Sequence, residues 1–223
     1  MKRLRAYTEL CRMHKPVGFF LLLWPMLIAL FVAAHSHPSW KVLGIFVIGC
    51  FLMRSAGCAI NDFADRDYDG FVVRTKHRPL ATKTITPVEA LMVFGVLSFF
   101  AFMLVLATNK LTIYLSFVGL LLASVYPFLK RFTHLPQFFL GAAFAWAVPM
   151  AYTAVSNTLP GEVWWLYTAT LLWAVAYDTQ YALVDKSDDV KIGVKSTAQL
   201  FGQKAPWMIL LFQGLTLGAL FIY

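Results

Sequence analysis

Apolar residues along this chain gather into seven long runs, at 17–34, 40–60, 87–107, 111–129, 136–155, 163–183 and 206–223. Each is close to the ~17–25 residues that a helix needs to cross the hydrocarbon core of a bilayer. Inside lipid the backbone must satisfy its own hydrogen bonds, so the pattern predicts helices throughout. Small residues in the fifth run, Gly141, Ala142, Ala143, Ala145 and Ala147, allow neighbouring helices to approach closely. The expected fold is all-α, a multi-pass transmembrane helix bundle.

Composition agrees with this reading. Of 223 residues 60% are hydrophobic and 13% charged, with a mean hydropathy of +0.68, whereas a soluble domain carries about 25% charged residues. The first run follows a basic stretch containing Lys2, Arg3, Arg5, Arg12 and Lys15. A signal peptide starts in this way, but its apolar region is only ~7–15 residues long and a small-residue cleavage site follows it. Neither feature is found here, so the run reads as a span.

The net charge of +8 is unevenly distributed. If the spans alternate, the N-terminal stretch and the loops 61–86, 130–135 and 184–205 share one side and hold five, five, two and four of the nineteen Lys and Arg residues. The other side holds Lys41 and Lys110, and Arg54 lies within a span. The positive-inside rule then puts the basic loops in the cytoplasm. Topology accounts for the basicity, which argues against nucleic-acid binding. Cys11, Cys50 and Cys58 have neither metal-ligand nor disulfide-framework spacing.

Chemistry concentrates in two acidic clusters. Asn61-Asp62-Phe63-Ala64-Asp65-Arg66-Asp67-Tyr68-Asp69 begins where the second run ends. Asn61, Asp65 and Asp69 recur every four residues and would share one face of a continuing helix. Asp178, Asp185, Asp188 and Asp189 close the sixth run, with Asp178, Asp185 and Asp189 again on one face. Four carboxylates in eight residues are costly beside lipid unless a cation rewards them. Mg2+ prefers oxygen ligands and commonly combines one or two carboxylates with substrate phosphates. Arg66, Arg74, Lys76 and Arg78 follow the first cluster, and Lys186, Lys191 and Lys195 follow or interleave with the second. Together they suit a diphosphate whose charge grows as it leaves. The plainer alternative is a pair of solvated, mixed-charge loops.

Three features are less decisive on their own. Arg54 lies seven residues before Asn61, and an intramembrane Arg either lines a polar cavity or pairs within the core. Tyr126 and Lys130 are one turn apart at the end of the fourth run, where an interfacial aromatic and a snorkelling base are also common. Aromatic residues reach 16% and include Trp24, Phe139, Phe144, Trp146 and Trp173. They could line a cavity for an allylic cation or face lipid, and none is assigned to a site.

The segments NDFADRDYDG at 61–70, RPLATKTIT at 78–86, YPFLKR at 126–131 and YDTQYALVDKSDDVKIGVKSTA at 177–198 together resemble the UbiA family of intramembrane prenyltransferases. The likeness runs from about Lys15 to Gln203 and is nearest to bacterial members acting on 4-hydroxybenzoate in ubiquinone biosynthesis. It implies a helical bundle with a central cavity, in the bacterial inner membrane, capped by cytoplasmic active-site loops. It also implies Mg2+ ligation by Asn61, Asp62, Asp65, Asp69, Asp185 and Asp189, with Tyr126 and Lys130 near the diphosphate. Arg131 would bind the acceptor carboxylate, and Lys15 and Arg66 would contact phosphate.

The implied reaction ionises an all-trans polyprenyl diphosphate, and the ring carbon ortho to the phenol of 4-hydroxybenzoate attacks the allylic cation. Asp65 would serve through the metal, and Asp185 through the metal or by deprotonating the phenol. Family members usually have nine spans, which makes 1–223 a single domain expected to be incomplete at its C-terminus. Two alternatives remain: another aromatic acceptor, or a cation transporter built on the acidic clusters. A CDP-alcohol phosphotransferase would require a DGxxAR element that the chain lacks.

Overall fold

The computed structural model describes residues 2–223 and is helical throughout, with no strand among the described residues. A short helix α1 (Lys2–Leu10) precedes α2 (Val17–Ala33), α3 (Trp40–Asp65), α4 (Pro87–Val105) and α5 (Lys110–Leu129). Next come α6 (Pro136–Ala145), α7 (Ala147–Ser156), α8 (Val163–Ile192), α9 (Thr197–Phe201) and α10 (Ala205–Ile222).

Helix covers all seven apolar runs, but five segments are long and apolar enough to cross a membrane: Trp40–Asp65, Pro87–Val105, Lys110–Leu129, Pro136–Ser156 and Thr197–Ile222. This corrects the count of seven. The helix Val17–Ala33 is apolar but only 17 residues long. In α8, Asp178 and a high share of Trp, Tyr and Thr dilute the apolar run. The chain is a membrane protein.

The expected span at 136–155 is broken at Trp146. Pro149 has no N–H to give the carbonyl of Ala145, so the helix cannot continue regularly there. Three of the other helices, α3, α4 and α5, begin on side-chain caps. Ser39 accepts from the Val42 N–H, Asn109 accepts from the Thr112 N–H, and Thr86 and Glu89 form a reciprocal capping box. Helix α8 stops at Gly193, whose φ of +72° suits the left-handed cap conformation.

Three apolar clusters hold the bundle. The largest joins α2, α3, α7 and α8 through Met26, Leu30, Phe46, Val148 and Leu166. A second seats α1 against α3, α4 and the 61–86 loop through Ala6, Leu10, Leu80 and Ile85. The third packs α8 against α10 through Val175, Ile209 and Phe212. Gly141 brings α6 against α8: a Cβ there would stand 2.9 Å from the Leu171 carbonyl oxygen. The helices α2 to α8 leave a cavity between them.

Candidate active site

Helix α3 runs beyond its apolar stretch to Asp65, and a single 3-10 turn at Asp69–Phe71 follows. Helix α8 likewise continues past its apolar run to Ile192. Both acidic motifs therefore ride on rigid extensions of bundle helices, and they face one another. Asn61, Asp65, Asp69, Asp178, Asp185 and Asp189 all line a polar pocket of about 200 Å³. The first motif does not continue as a helix to Asp69, yet the turn still directs Asp69 inward.

Cations from the loops and α5 neutralise these acids. Arg78 reaches Asp69 at 2.9 Å, Asp62 at 3.1 Å and Asp65 at 3.9 Å. Lys130, at the end of α5, pairs with Asp65. Arg74 grips Asp185 through both carboxylate oxygens, its Nε lying 2.9 and 3.1 Å from them, which links the two motifs across the pocket. Desolvation pushes the Asp69 carboxyl up to about 6; Arg78 opposes the shift, and Asp65 and Asp62 add to it. Lys195 also lines the pocket, and its backbone N–H donates to the Lys130 carbonyl at 3.0 Å.

The pocket thus combines five carboxylates with Arg74, Arg78, Lys130 and Lys195. The five carboxylates outnumber the four cations, so a divalent cation held among them would favour a diphosphate. The donors are all oxygen, without His or Cys, as a hard cation requires. Among the described residues no three His, Cys, Asp or Glu side chains stand together as a ready-made metal site. The donor set therefore fits a metal that takes part of its coordination from phosphate.

Beneath the pocket lies an apolar chamber of about 980 Å³. Its walls include Met26, Phe46, Phe102, Phe117, Phe144 and Trp146. Trp146 is fixed by its indole N–H, which donates to the Leu115 carbonyl at 2.8 Å. Tyr126, Leu140, Asp178 and Tyr181 line both compartments and form the neck between them. The chamber walls are mostly apolar and their charged members are mainly basic (Arg12, Lys15 and Arg54), which argues against cation transport. Trp24 and Phe139 are exposed on the outer surface instead.

The remaining expected site residues lie elsewhere. Lys15 lines the apolar chamber. Asp62 lines neither compartment: it is fully buried, paired with Arg12 at 2.6 Å and with Arg78. Arg66 stacks over Phe63, with 4.5 Å to the ring centroid, and donates to the Phe63 carbonyl at 2.8 Å. Arg131 donates to the Ala64 carbonyl and sits 5.3 Å from the Tyr68 ring centroid, fastening the end of α5 to the end of α3. Neither Arg66 nor Arg131 lines the pocket or the chamber.

Arg54 does line the chamber. It donates to Cys58 Sγ and pairs with no carboxylate among the described residues. Gly18 makes room for it, since a Cβ there would collide with the guanidinium. Arg12 and Tyr181 carry no local signal of a site in the sequence, and Asp178, a member of the second acidic cluster, is not among the ligands that the resemblance implies. For Asp178 the i, i+7, i+11 register with Asp185 and Asp189 was the available signal.

The UbiA prenyltransferase family model matches residues 22–223. A relative from Marinomonas sp. (strain MWYL1), named 4-hydroxybenzoate octaprenyltransferase, is 55% identical over 221 residues, covering 99% of this chain and 78% of the relative. One from Vibrio cholerae with the same name is 57% identical over 216 residues, covering 97% and 76%. Among solved structures, a UbiA homolog from Aeropyrum pernix K1 superposes with a TM-score of 0.81 at 26% identity, covering 91% of this chain and 76% of that one. A UbiA homolog from Archaeoglobus fulgidus bound to GPP and Mg2+ has the same fold, with a TM-score of 0.78 at 19% identity, covering 97% and 77%.

Proposed function

The chain belongs to the UbiA prenyltransferase family, and from that premise we propose that it transfers a polyprenyl group from an all-trans polyprenyl diphosphate to the ring carbon ortho to the hydroxyl of 4-hydroxybenzoate, with Mg2+, as a step of ubiquinone biosynthesis. The observation that carries this reading is the division of one cavity into a charged pocket of about 200 Å³ and an apolar chamber of about 980 Å³ joined at a neck. A prenyl diphosphate has the same two halves. Its head belongs in the pocket, its tail in the chamber, and the reacting C1–O bond at the neck.

Asn61, Asp65, Asp69, Asp185 and Asp189 would hold Mg2+, which when bound supplies positive charge to the departing diphosphate. Asp62, held beneath them by Arg12 and Arg78, would position the first motif. Arg74, Arg78, Lys130 and Lys195 would exchange their carboxylate and backbone partners for phosphate oxygens, and Tyr126 would border the head group at the neck. Negative charge develops on the bridging oxygen as C1–O breaks, so cations held there favour the transition state over the ground state. The aromatic and aliphatic walls of the chamber would keep water from the allylic cation.

The acceptor needs a cation for its carboxylate. Arg54 meets that need better than Arg131, because it borders the chamber without a carboxylate partner whereas Arg131 is engaged by the Ala64 carbonyl. The pocket end would face the cytoplasm across the bacterial inner membrane, as the asymmetry of Lys and Arg suggests.

The test is acceptor choice in membranes containing this chain, supplied with Mg2+ and polyprenyl diphosphate. Radiolabel from 4-hydroxybenzoate should move into a lipid-extractable product, and label from a dihydroxynaphthoate should not. Label transfer only from the naphthoate would retain prenyl transfer and reject 4-hydroxybenzoate as the acceptor.

A further inference from the structure

Resting on the prenyl-transfer reading above, we propose that Asp178 is the base that removes the ring proton after carbon–carbon bond formation. Asp178 is the carboxylate common to the head-group pocket and the apolar chamber, and it shares that boundary with Tyr126, Leu140 and Tyr181. A prenyl diphosphate bound head-in-pocket and tail-in-chamber has C1 at this boundary. The attacked ring carbon, and the hydrogen it carries, must come to the same place.

Its freedom is the second observation. The cations whose charge Asp178 feels are Arg74 and Lys130, and each is already committed, Arg74 to Asp185 and Lys130 to Asp65. Asp178 itself makes no ion pair or side-chain hydrogen bond among the described residues, whereas the adjacent Thr179 is tied to Thr197 at 2.8 Å. Its lone pairs are open to the neck. Asp185, the other candidate base, is bonded at both oxygens by Arg74, and in the reading above it passes from Arg74 to Mg2+ when the diphosphate binds.

The step balances within the proposed prenyl transfer. The C1–O bond breaks and its electron pair leaves with diphosphate. A π pair of the ring forms the new bond to C1, creating a cationic ring with one sp3 carbon. Asp178 takes the proton from that carbon, the C–H pair restores aromaticity, and the carboxylic acid later gives its proton to water. A base within reach of the proton is worth about 10²–10⁴-fold in rate.

The experiment uses the full chain in membranes, unsubstituted and as Asp178→Asn and Asp178→Glu. Diphosphate release and prenylated product are measured separately, with 4-hydroxybenzoate carrying hydrogen or deuterium at both positions ortho to the hydroxyl. For Asp178→Asn, product formation should fall by about 10²-fold or more while diphosphate release continues. The remaining transfer should acquire a primary deuterium isotope effect that the unsubstituted chain lacks. Asp178→Glu should recover part of the transfer rate. Asp178→Asn forming product at the original rate would overturn the assignment. So would a parallel loss of diphosphate release and product in both variants, which would make Asp178 part of the leaving-group machinery or of the fold. If the unsubstituted chain gives no product from 4-hydroxybenzoate, the acceptor reading itself is wrong, an outcome distinct from these.

Discussion

Arg12, at the joint between α1 and α2, forms a 2.6 Å ion pair with Asp62 near the end of α3, and the carboxylate is 1% exposed. The backbone of Arg12 has a φ of +53°, a left-handed conformation that is unusual for a residue with a side chain. The joint therefore holds a shape that aims the guanidinium at the base of the acidic motif. Arg78 grips the same carboxylate from the other side and passes the connection to Asp69.

Removal of Arg12 leaves Asp62 buried with one partner. Arg12→Met should cost roughly 3 kcal/mol, the lower end for breaking a buried pair, because Arg78 remains. Thermal unfolding in detergent measures this loss. Asp62→Leu added to Arg12→Met should recover part of it. Full additivity of the two substitutions would mean that the pair has no energetic coupling.

Arg54 and Arg131 offer a direct comparison for the acceptor carboxylate. Arg54→Ala should raise KM for 4-hydroxybenzoate by about tenfold or more, since a hydrogen bond to a charged group is worth ~1.5–3 kcal/mol. KM for the prenyl diphosphate should change little. Arg131→Ala should instead lower thermal stability, through the lost tie to Ala64. Initial-rate kinetics with each substrate varied in turn separate the two residues.

Asp69 would give the proposed metal site a pH dependence. Burial raises its carboxyl to about 6, and a carboxylate must lose its proton before it binds a cation. Raised affinity for protons therefore means weaker metal binding as pH falls through about 6, and full binding above it. Mn2+ titration of the purified protein at pH 5, 6 and 7.5 (chosen to bracket that value) should show the Kd falling as pH rises. Asp69→Asn should flatten this dependence.

Gly141→Ala places a methyl group 2.9 Å from a backbone oxygen of α8. Backbone cannot swing aside as a side chain does, so α6 and α8 must separate. The expected loss is about 1–3 kcal/mol, typical of overpacking, read as a lower unfolding midpoint. Gly214→Ala, where a Cβ meets nothing within 4 Å, is the control and should hold its midpoint.

The local patterns that the sequence displays account for the helices and for both acidic motifs. Asn61, Asp65, Asp185 and Asp189 converge because helical spacing and span topology are readable residue by residue. Asp69 converges for another reason, a tight turn rather than the helix expected from its spacing. The break at Trp146 was signalled by Pro149, but the apolar run is continuous across it and hides the interruption. What escaped the sequence was long-range pairing: Arg12 meets Asp62 across fifty positions, and no local spacing announces it. The direction of Arg131 was equally hidden, because it depends on how the end of α5 meets the Ala64 carbonyl. Arg54 could be read as a polar lining or as a core pair, and only the walls around it decide between them.

Two facing acidic motifs and an apolar chamber would together make one Mg2+-dependent prenyl-transfer site. Its most direct test is prenyl transfer to 4-hydroxybenzoate in membranes containing this chain, alongside Asp65→Ala and Asp185→Ala. Product should form with the unsubstituted chain, disappear with EDTA, and fall by about 10²-fold or more with either substitution. Product that survives EDTA, or that both substituted chains form at the original rate, would contradict it.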